Sequence, residues 1–378
     1  MMRIGIDIRP LGFLDDKAGI YQYIDNLISN LLSVDHQNDY TLLSTLKGSQ
    51  ENGKIPNRRI KRVPGRLSEF LLEGLTLPVE ILMGELDLFH GPCFFVPRHL
   101  RGKSIVTIHD LMMFRAPEFL NPEWAASLKK KVHASVKRAD AIIAVSEFTK
   151  KDMGELLHIS EERIRVIHNG IDSTLHPIKD KIEIEKVKVK YGVKGPYLLF
   201  VGNIEPKKNI ERLIHACVKL QHSTRYKYPL LVVGKKAWHF QKVWEVVRQV
   251  HAENDTVFTD VVDGADLPYL YSGAELFIFP SLFEGFGIPV IEAMACGTPV
   301  VASNRTSIPE VSGDAAVIVD PMNVDELAGA IYQVLSTPAL REKLIERGIE
   351  RARYFSWEKS TRETLKLYQE IGENRQLT

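Results

Sequence analysis

Cysteine is scarce in this 378-residue chain, and the three present, Cys93, Cys217 and Cys296, stand far apart with no CxxC spacing. That excludes a disulfide framework and a cysteine zinc site, and points to a reducing compartment, the cytoplasm. An excess of either charge is lacking too. With 49 Lys and Arg against 48 Asp and Glu, the formal net charge is +1. The electrostatic footprint of a nucleic-acid-binding protein is therefore missing, and nucleic acid is not expected as a partner. No apolar run approaches the roughly 18 residues of a membrane-spanning helix. The N-terminus, Met1-Met2-Arg3-Ile4-Gly5-Ile6, enters a strand pattern directly, without a signal-peptide core. The chain is expected to be soluble, or peripheral to a membrane at most. There is no Asp-x-Asp pair to hold a divalent metal on a nucleotide diphosphate and no histidine cluster of zinc spacing, so neither a metal nor a cofactor is expected. The first strand-to-helix loop, residues 9–19, lacks the GxGxxG of a dinucleotide fold, which disfavours a nicotinamide dehydrogenase.

What is present is an ordinary globular balance, 44% hydrophobic and 26% charged, on a chain long enough for two cores. Strands are expected at residues 3–8, 40–44, 86–90, 103–107, 141–145 and 165–167, then at 197–201, 229–233, 257–259, 276–280, 299–302 and 316–319. Helical periodicity fills the gaps, as at 20–32, 125–137, 210–221 and 324–335. Strands alternating with helices indicate parallel sheets covered on both faces, here an α/β chain of two doubly wound domains. Residues 1–176 form the first domain, 177–193 a charged linker region that reads as solvated loop or helix, and 194–355 the second. From Ser356-Trp357 onward the tail is a long amphipathic helix.

Seven residues separate Glu284 from Glu292 in SLFEGFGIPVIEAMACGTPVV, residues 281–301. The preceding LFIFP reads as a buried strand; Pro289 suits a first helical position and Gly297 a helix end. Glu284 then belongs to a loop and Glu292 to the first turn or so of a helix. Carboxylates repel phosphates, so the pair makes sense as acceptors for neutral hydroxyls, at about 1.5–3 kcal/mol per charge-assisted bond, beside a helix start that favours an anion. The plainer reading of Glu292 is a stabilising acid near a helix start.

In VGNIEPKKNI, residues 201–210, a strand ends, a loop carries Gly202 and two lysines, and a helix begins. Lys208 is placed to neutralise a diphosphate beyond the strand end, with Lys207 the less favoured donor; taken alone, both read as solvent-facing. His109 closes SIVTIH just past a buried strand. A histidine there can hydrogen-bond a sugar hydroxyl or serve in acid–base work near neutral pH, and Asp110 either orients it or caps the next helix. Gly19, at a helix start, lets backbone amides approach a phosphate or an acceptor. The basic run NRRIKRVPGR, residues 57–66, reads equally as a solvated loop and as a surface for anionic lipid or a polyprenyl diphosphate.

Together these segments resemble the family-4 retaining glycosyltransferases of the GT-B fold, over nearly the whole chain. The resemblance rests on EGFGIPVIEAMACGTPVV (284–301), VGNIEPKKN (201–209) and TIHD (107–110), with support from ADAIIAVSEFTKKD (139–152), VIHNGID (166–172) and ASNRTSIPEVSGDAA (302–316). It implies two Rossmann-like domains facing a cleft, a nucleotide-sugar donor held chiefly by the second, and a tail helix (356–378) that returns to the first. Carried over by position, Lys208 grips the donor diphosphate, Glu292 the ribose hydroxyls and Glu284 the transferred sugar. Phe286, Gly287 and Ile288 offer backbone amides, and Val262 lies beside the base. His109 sits by the sugar near the reacting centre, and Gly19 lets the first loop approach it. His109 and Glu284 are thus the expected catalytic residues.

The chain departs from the family pattern at Asn203, which stands where many members place an arginine on the diphosphate. The loop resembles a GxIEPRKN-type subgroup that looks like mannosyltransferases of bacterial surface-polysaccharide assembly. That implies transfer of mannose from GDP-mannose to a saccharide or polyprenyl-diphosphate-linked glycan, in the cytoplasm or peripherally at the inner face of the cell membrane. Retention implies front-face attack, with the departing diphosphate helping to take the acceptor proton. The alternatives are a UDP- or dTDP-sugar donor, a nucleotide-sugar epimerase or sugar phosphorylase on the same phosphate cradle, and an inactive sugar-binding scaffold.

Overall fold

The computed structural model describes residues 1–12, 19–45, 60–63, 86–98, 100, 102–236 and 239–373. The chain divides into two compact units, Met1–Gly170 with Trp357–Thr378, and Ile171–Ser356.

In the first unit β1 (Arg3–Asp7), β2 (Asp39–Thr45), β3 (Ile60–Val63), β4 (Leu88–Gly91), β5 (Lys103–Ile108), β6 (Ala141–Ala144) and β7 (Ile164–Val166) form one sheet, in the order β3-β2-β1-β4-β5-β6-β7. Every pairing is parallel. Parallel strands are covered on both faces, so the central ones are apolar without alternation; β4 and β6 are buried throughout. The covering helices include α1 (Gly19–Val34), α2 (Met112–Arg115), α3 (Pro122–Arg138) and α4 (Glu147–Leu157). Asn121 starts α3, its Oδ1 accepting from the amides of Glu123 and Trp124, and Ser146 starts α4 in the same way from Thr149.

In the second unit β8 (Leu198–Val201), β9 (Leu230–Val233), β10 (Thr256–Asp260), β11 (Leu276–Phe279), β12 (Val300–Ser303) and β13 (Val317–Val319) pair in parallel, in the order β10-β9-β8-β11-β12-β13. Its helices are α5 (Lys181–Lys190), α6 (Ile210–Ser223), α7 (Phe240–Gln249), α8 (Leu267–Ser272), α9 (Ile288–Ala295), α10 (Ile308–Ser312), α11 (Val324–Ser336) and α12 (Pro338–Arg353). Residues 177–193 carry α5 and lie within this unit, tied to it by a Lys190–Asp266 ion pair of 2.6 Å. The last helix, α13 (Trp357–Glu373), belongs to the first unit. It contributes Trp357, Leu367 and Tyr368 to a core with Ile4, Ile6, Tyr23, Ile24, Leu27 and Ile28.

Among the described residues, β3 is the one strand that the pattern of the chain does not announce. It occupies the sheet edge and lies inside the basic run at 57–66, whose other residues fall outside the described ones. Edge strands commonly carry lysine and arginine, which removes the apolar signature. Among the described residues no helix is long and apolar enough to cross a membrane.

Strand order reverses between β1 and β4 in the first sheet and between β8 and β11 in the second. Ligands of open parallel sheets bind beyond the carboxyl ends of the strands at such reversals, because the flanking loops diverge there and leave a crevice. The loop after β8 carries Lys208 and the loop after β11 carries Glu284.

Candidate active site

Past β8 the chain makes a tight turn, Pro206–Lys208, which Asn209 ends in the left-handed conformation at φ 59° before α6 begins. Asn209 fixes the turn to two other strand ends. Its Nδ2 donates to the carbonyls of Pro280 (3.1 Å) and Pro321 (2.7 Å), and its Oδ1 accepts from Arg212. The amide of Leu282 donates to the Lys207 carbonyl at 2.7 Å, so the lysine loop and the glutamate loop are joined through their backbones as well.

Lys208 Nζ then lies 2.6 Å from Glu284 Oε1, both side chains 11% exposed, and 5.0 Å from the centroid of the Phe279 ring. Burial pushes the Glu284 carboxyl up, but Lys208 and Lys207 outweigh it and hold it below the usual carboxylate range. Thr306 and Ser307 hold the backbone around this carboxylate. The Glu284 amide donates to Thr306 Oγ1 (3.1 Å), and Ser307 Oγ donates to the carbonyls of Glu284 (3.0 Å) and Phe286 (2.9 Å). Thr306 itself has φ 55°, a conformation that β-branched residues rarely adopt and that is found disproportionately at functional sites.

Phe286 is buried, and Gly287 follows at φ 101° as the residue before α9. Glycine is required there by conformation, and a Cβ would also stand 2.5 Å from Ile308 Cδ1 and push the end of that side chain aside. α9 begins at Ile288, with Pro289 in its first turn, and no side chain caps it. Pro289 has no amide hydrogen and the Val290 amide donates to the Gly287 carbonyl at 3.0 Å, so the Ile288 amide is the one in the first turn with no partner within the helix. Glu292 falls in the second turn of α9, not the first, so it is too far in to serve as a helix-start acid. Tyr271 of α8 donates to its Oε2 at 2.9 Å. Burial pushes the Glu292 carboxyl up to about 7, with the negative charge of Asp172 adding to the effect. Asn203 is half-buried in the loop after β8, next to Gly202; a Cβ on Gly234 would meet the Gly202 carbonyl at 2.2 Å, so these two loops touch through bare backbone. Val262 is buried beyond β10, two strands away from β8.

In the first unit His109 follows β5 and is buried. Its Nε2 lies 2.8 Å from the Pro92 carbonyl, which can only accept, so Nε2 carries the proton and Nδ1 is the acceptor of the neutral ring. Burial lowers its pKa, against the raising effects of Pro92 and Asp110, and keeps it neutral at pH 7. Tyr23 and Phe94 meet the ring edge-on, with centroids at 4.9 and 5.5 Å. Asp110 accepts from the Met112 amide at 2.9 Å and so opens α2. Gly19 is the first residue of α1, exposed; residues 13–18 before it lie outside the described ones.

The structure thus joins Lys208 to Glu284 and seats Glu292 on Tyr271. Asn209, Tyr271, Thr306 and Ser307 complete this arrangement without having stood out in the chain. Asn209, at the helix start of VGNIEPKKNI, and Ser307, just before an Ile-Pro helix start inside ASNRTSIPEVSGDAA, had a local signal.

Residues 181–351 match the family described as "Glycosyl transferases group 1" and residues 18–175 that described as "Glycosyltransferase Family 4". The chain is 36% identical over 282 residues to O-antigen chain mannosyltransferase B from Escherichia coli, 74% of each chain being covered. It is 30% identical over 260 residues to the serotype-specific mannosyltransferase WbdA from Escherichia coli, covering 68% of this chain and 32% of that longer one. Among solved structures, Anabaena HepE in complex with UDP and glucose matches with a TM-score of 0.78 at 17% identity, over 98% of this chain and 100% of that one. The chain belongs to the family-4 glycosyltransferases and has the GT-B fold. It is a glycosyltransferase.

Proposed function

We propose that this enzyme transfers mannose from GDP-mannose, with retention of configuration, to a saccharide or polyprenyl-diphosphate-linked glycan in bacterial surface-polysaccharide assembly. The observation that carries the chemistry is the Lys208–Glu284 pair at the β8/β11 reversal, one cation and one hydroxyl acceptor on adjoining loops. The 36% identity to an O-antigen chain mannosyltransferase supports the sugar and the pathway class. Lys208 turns from Glu284 to the donor diphosphate, joined there by the backbone amides of Phe286, Gly287 and Ile288 and by Asn203. Glu284, released, accepts a hydroxyl of the mannose; Glu292 accepts the ribose hydroxyls, and Val262 packs on the base. Neutral His109 accepts a sugar hydroxyl at Nδ1.

In this account the protein supplies position and charge rather than covalent chemistry. The acceptor oxygen attacks the anomeric carbon from the face the diphosphate leaves. The C–O bond to the diphosphate breaks, and the acceptor proton passes to the departing phosphate oxygen. Incubation with GDP-, UDP-, ADP- and dTDP-sugars, with and without a polyprenyl-diphosphate-linked mannoside, tests this reading. Mannosyl product of α-configuration with GDP-mannose alone among the donors is expected. Turnover with only a UDP- or dTDP-sugar sinks the donor, product without acceptor points to an epimerase, and a trapped mannosyl-enzyme sinks front-face attack. The basic run at 57–66 serves peripheral contact with the inner face of the membrane; flotation with phosphatidylglycerol vesicles at low salt, lost at high salt, is expected, and no flotation at either removes this part.

A further inference from the structure

Behind His109 runs a buried line of side-chain hydrogen bonds that the proposed chemistry does not use. The Tyr368 hydroxyl, on α13, lies 2.6 Å from Nδ1 of His90 in β4. His90 Nε2 lies 2.8 Å from Thr107 Oγ1 in β5, and that oxygen lies 3.0 Å from the Tyr23 hydroxyl in α1. All four residues are fully buried. The Tyr23 ring then meets the His109 ring edge-on, the planes at 82°, and Trp357 at the start of α13 also packs on Tyr23.

Four polar groups inside a parallel-sheet core are costly unless each is satisfied, and apolar residues of the same shape would fill the space as well. Each of the four groups has at least one partner in the line, which three hydrogen bonds hold together. Burial keeps His90 neutral, its pKa lowered to about 3, so one ring nitrogen donates and the other accepts. The hydroxyls on either side are thereby polarised in one sense, and each bond holds the next group in place. His90 is also two residues from Pro92, whose carbonyl accepts a hydrogen bond from His109 Nε2–H. Two supports of the His109 ring thus connect to His90, the Tyr23 edge through Thr107 and the Pro92 carbonyl through the chain.

We propose that Tyr368, acting through His90, Thr107 and Tyr23, is a positioning residue for His109, so that the C-terminal helix sets the orientation of a site residue in the first unit. The inference rests on the reading of His109 as a group that touches the donor sugar. Tyr368→Phe removes one oxygen and keeps the ring. For mannosyl transfer from GDP-mannose it is expected to lower kcat about tenfold, the kinetic equivalent of one buried hydrogen bond, while donor KM moves less than twofold. Thr107→Val should act alike, and Thr107→Ser, which keeps the hydroxyl, should restore turnover.

The deciding comparison is with His109→Ala. There Tyr368→Phe should make no further difference, because its effect is routed through a ring that is gone. An equal loss in both backgrounds means a merely structural role and overturns the proposal, leaving the reading of the site intact. Undiminished turnover in His109→Ala itself overturns the reading of His109, and this inference with it. An arm free of any donor is the imidazole 15N spectrum. The native His109 ring should show the Nε2-protonated form, and Tyr368→Phe should shift or broaden both of its ring resonances. A His109 spectrum left unchanged by Tyr368→Phe overturns the proposal whatever the sugar turns out to be.

Discussion

Neither Lys208 nor Glu284 would be tolerated so far from water without the other. Glu284→Ala leaves an ammonium buried over Phe279 with no carboxylate, and is expected to cost about 3–5 kcal/mol of stability in urea denaturation. It should also abolish turnover. A variant that turns over normally would remove Glu284 from the site. Glu292 behaves in the opposite sense. Its folded pKa of about 7 lies above the ordinary 4.5, so the folded state holds a proton that the unfolded state has released. Stability therefore falls as pH rises from about 4.5 to about 7 and is level above that. Glu292→Gln should leave thermal stability unchanged at pH 4.5 and raise it at pH 8, by about 1–3 kcal/mol. Equal behaviour at the two pH values would mean a solvated carboxylate. With Asn203 facing the diphosphate as proposed, Asn203→Arg adds a cation there, and a charge-assisted bond of about 1.5–3 kcal/mol should tighten the proposed donor, GDP-mannose, at least tenfold by calorimetry. Weaker binding would place Asn203 away from the phosphates.

At the scale of elements, the start of α9 depends on one glycine. Gly287→Ala forces a side chain into φ 101° and against Ile308, so it should cost at least about 1–2 kcal/mol. It should also raise donor KM, because the amides at the helix start move with it; an unaltered KM would separate those amides from donor binding. Most elements are legible in the chain because parallel strands covered on both faces leave unbroken apolar runs, as in LFIF of β11 and AIIA of β6. The loops are less so. Pro289 suggests a helix starting on itself, whereas α9 starts one residue earlier and Glu292 falls into its second turn. Thr306 and Ser307 carry no local pattern that ties them to Glu284, more than twenty positions away. β3 is hidden by its own charges, which an edge position permits.

For the whole molecule, the route of the chain matters most. It leaves the first unit at Gly170, builds the second, and returns at Trp357. A chain ending at Ser356 keeps every strand but loses Trp357, Leu367 and Tyr368 from the first core, each worth about 1.5–3 kcal/mol. The first unit should then melt separately and earlier in calorimetry, and a single unchanged transition would contradict the packing of α13. In the intact chain, GDP-mannose at about 100 times its Kd should stabilise the protein by about 2.7 kcal/mol.

The α/β class, the succession of strands and helices along the chain apart from β3, and the Glu284–Glu292 spacing can be read from the chain, because apolar runs, helix periodicity and helix punctuation are local properties. The pairing of Lys208 with Glu284, the seating of Glu292 on Tyr271 and the line from Tyr368 to His109 come from the fold alone. Each depends on which strands become neighbours. Strand order places the ends of β8 and β11, and of β4 and β5, side by side, and no stretch of sequence within either partner records that adjacency.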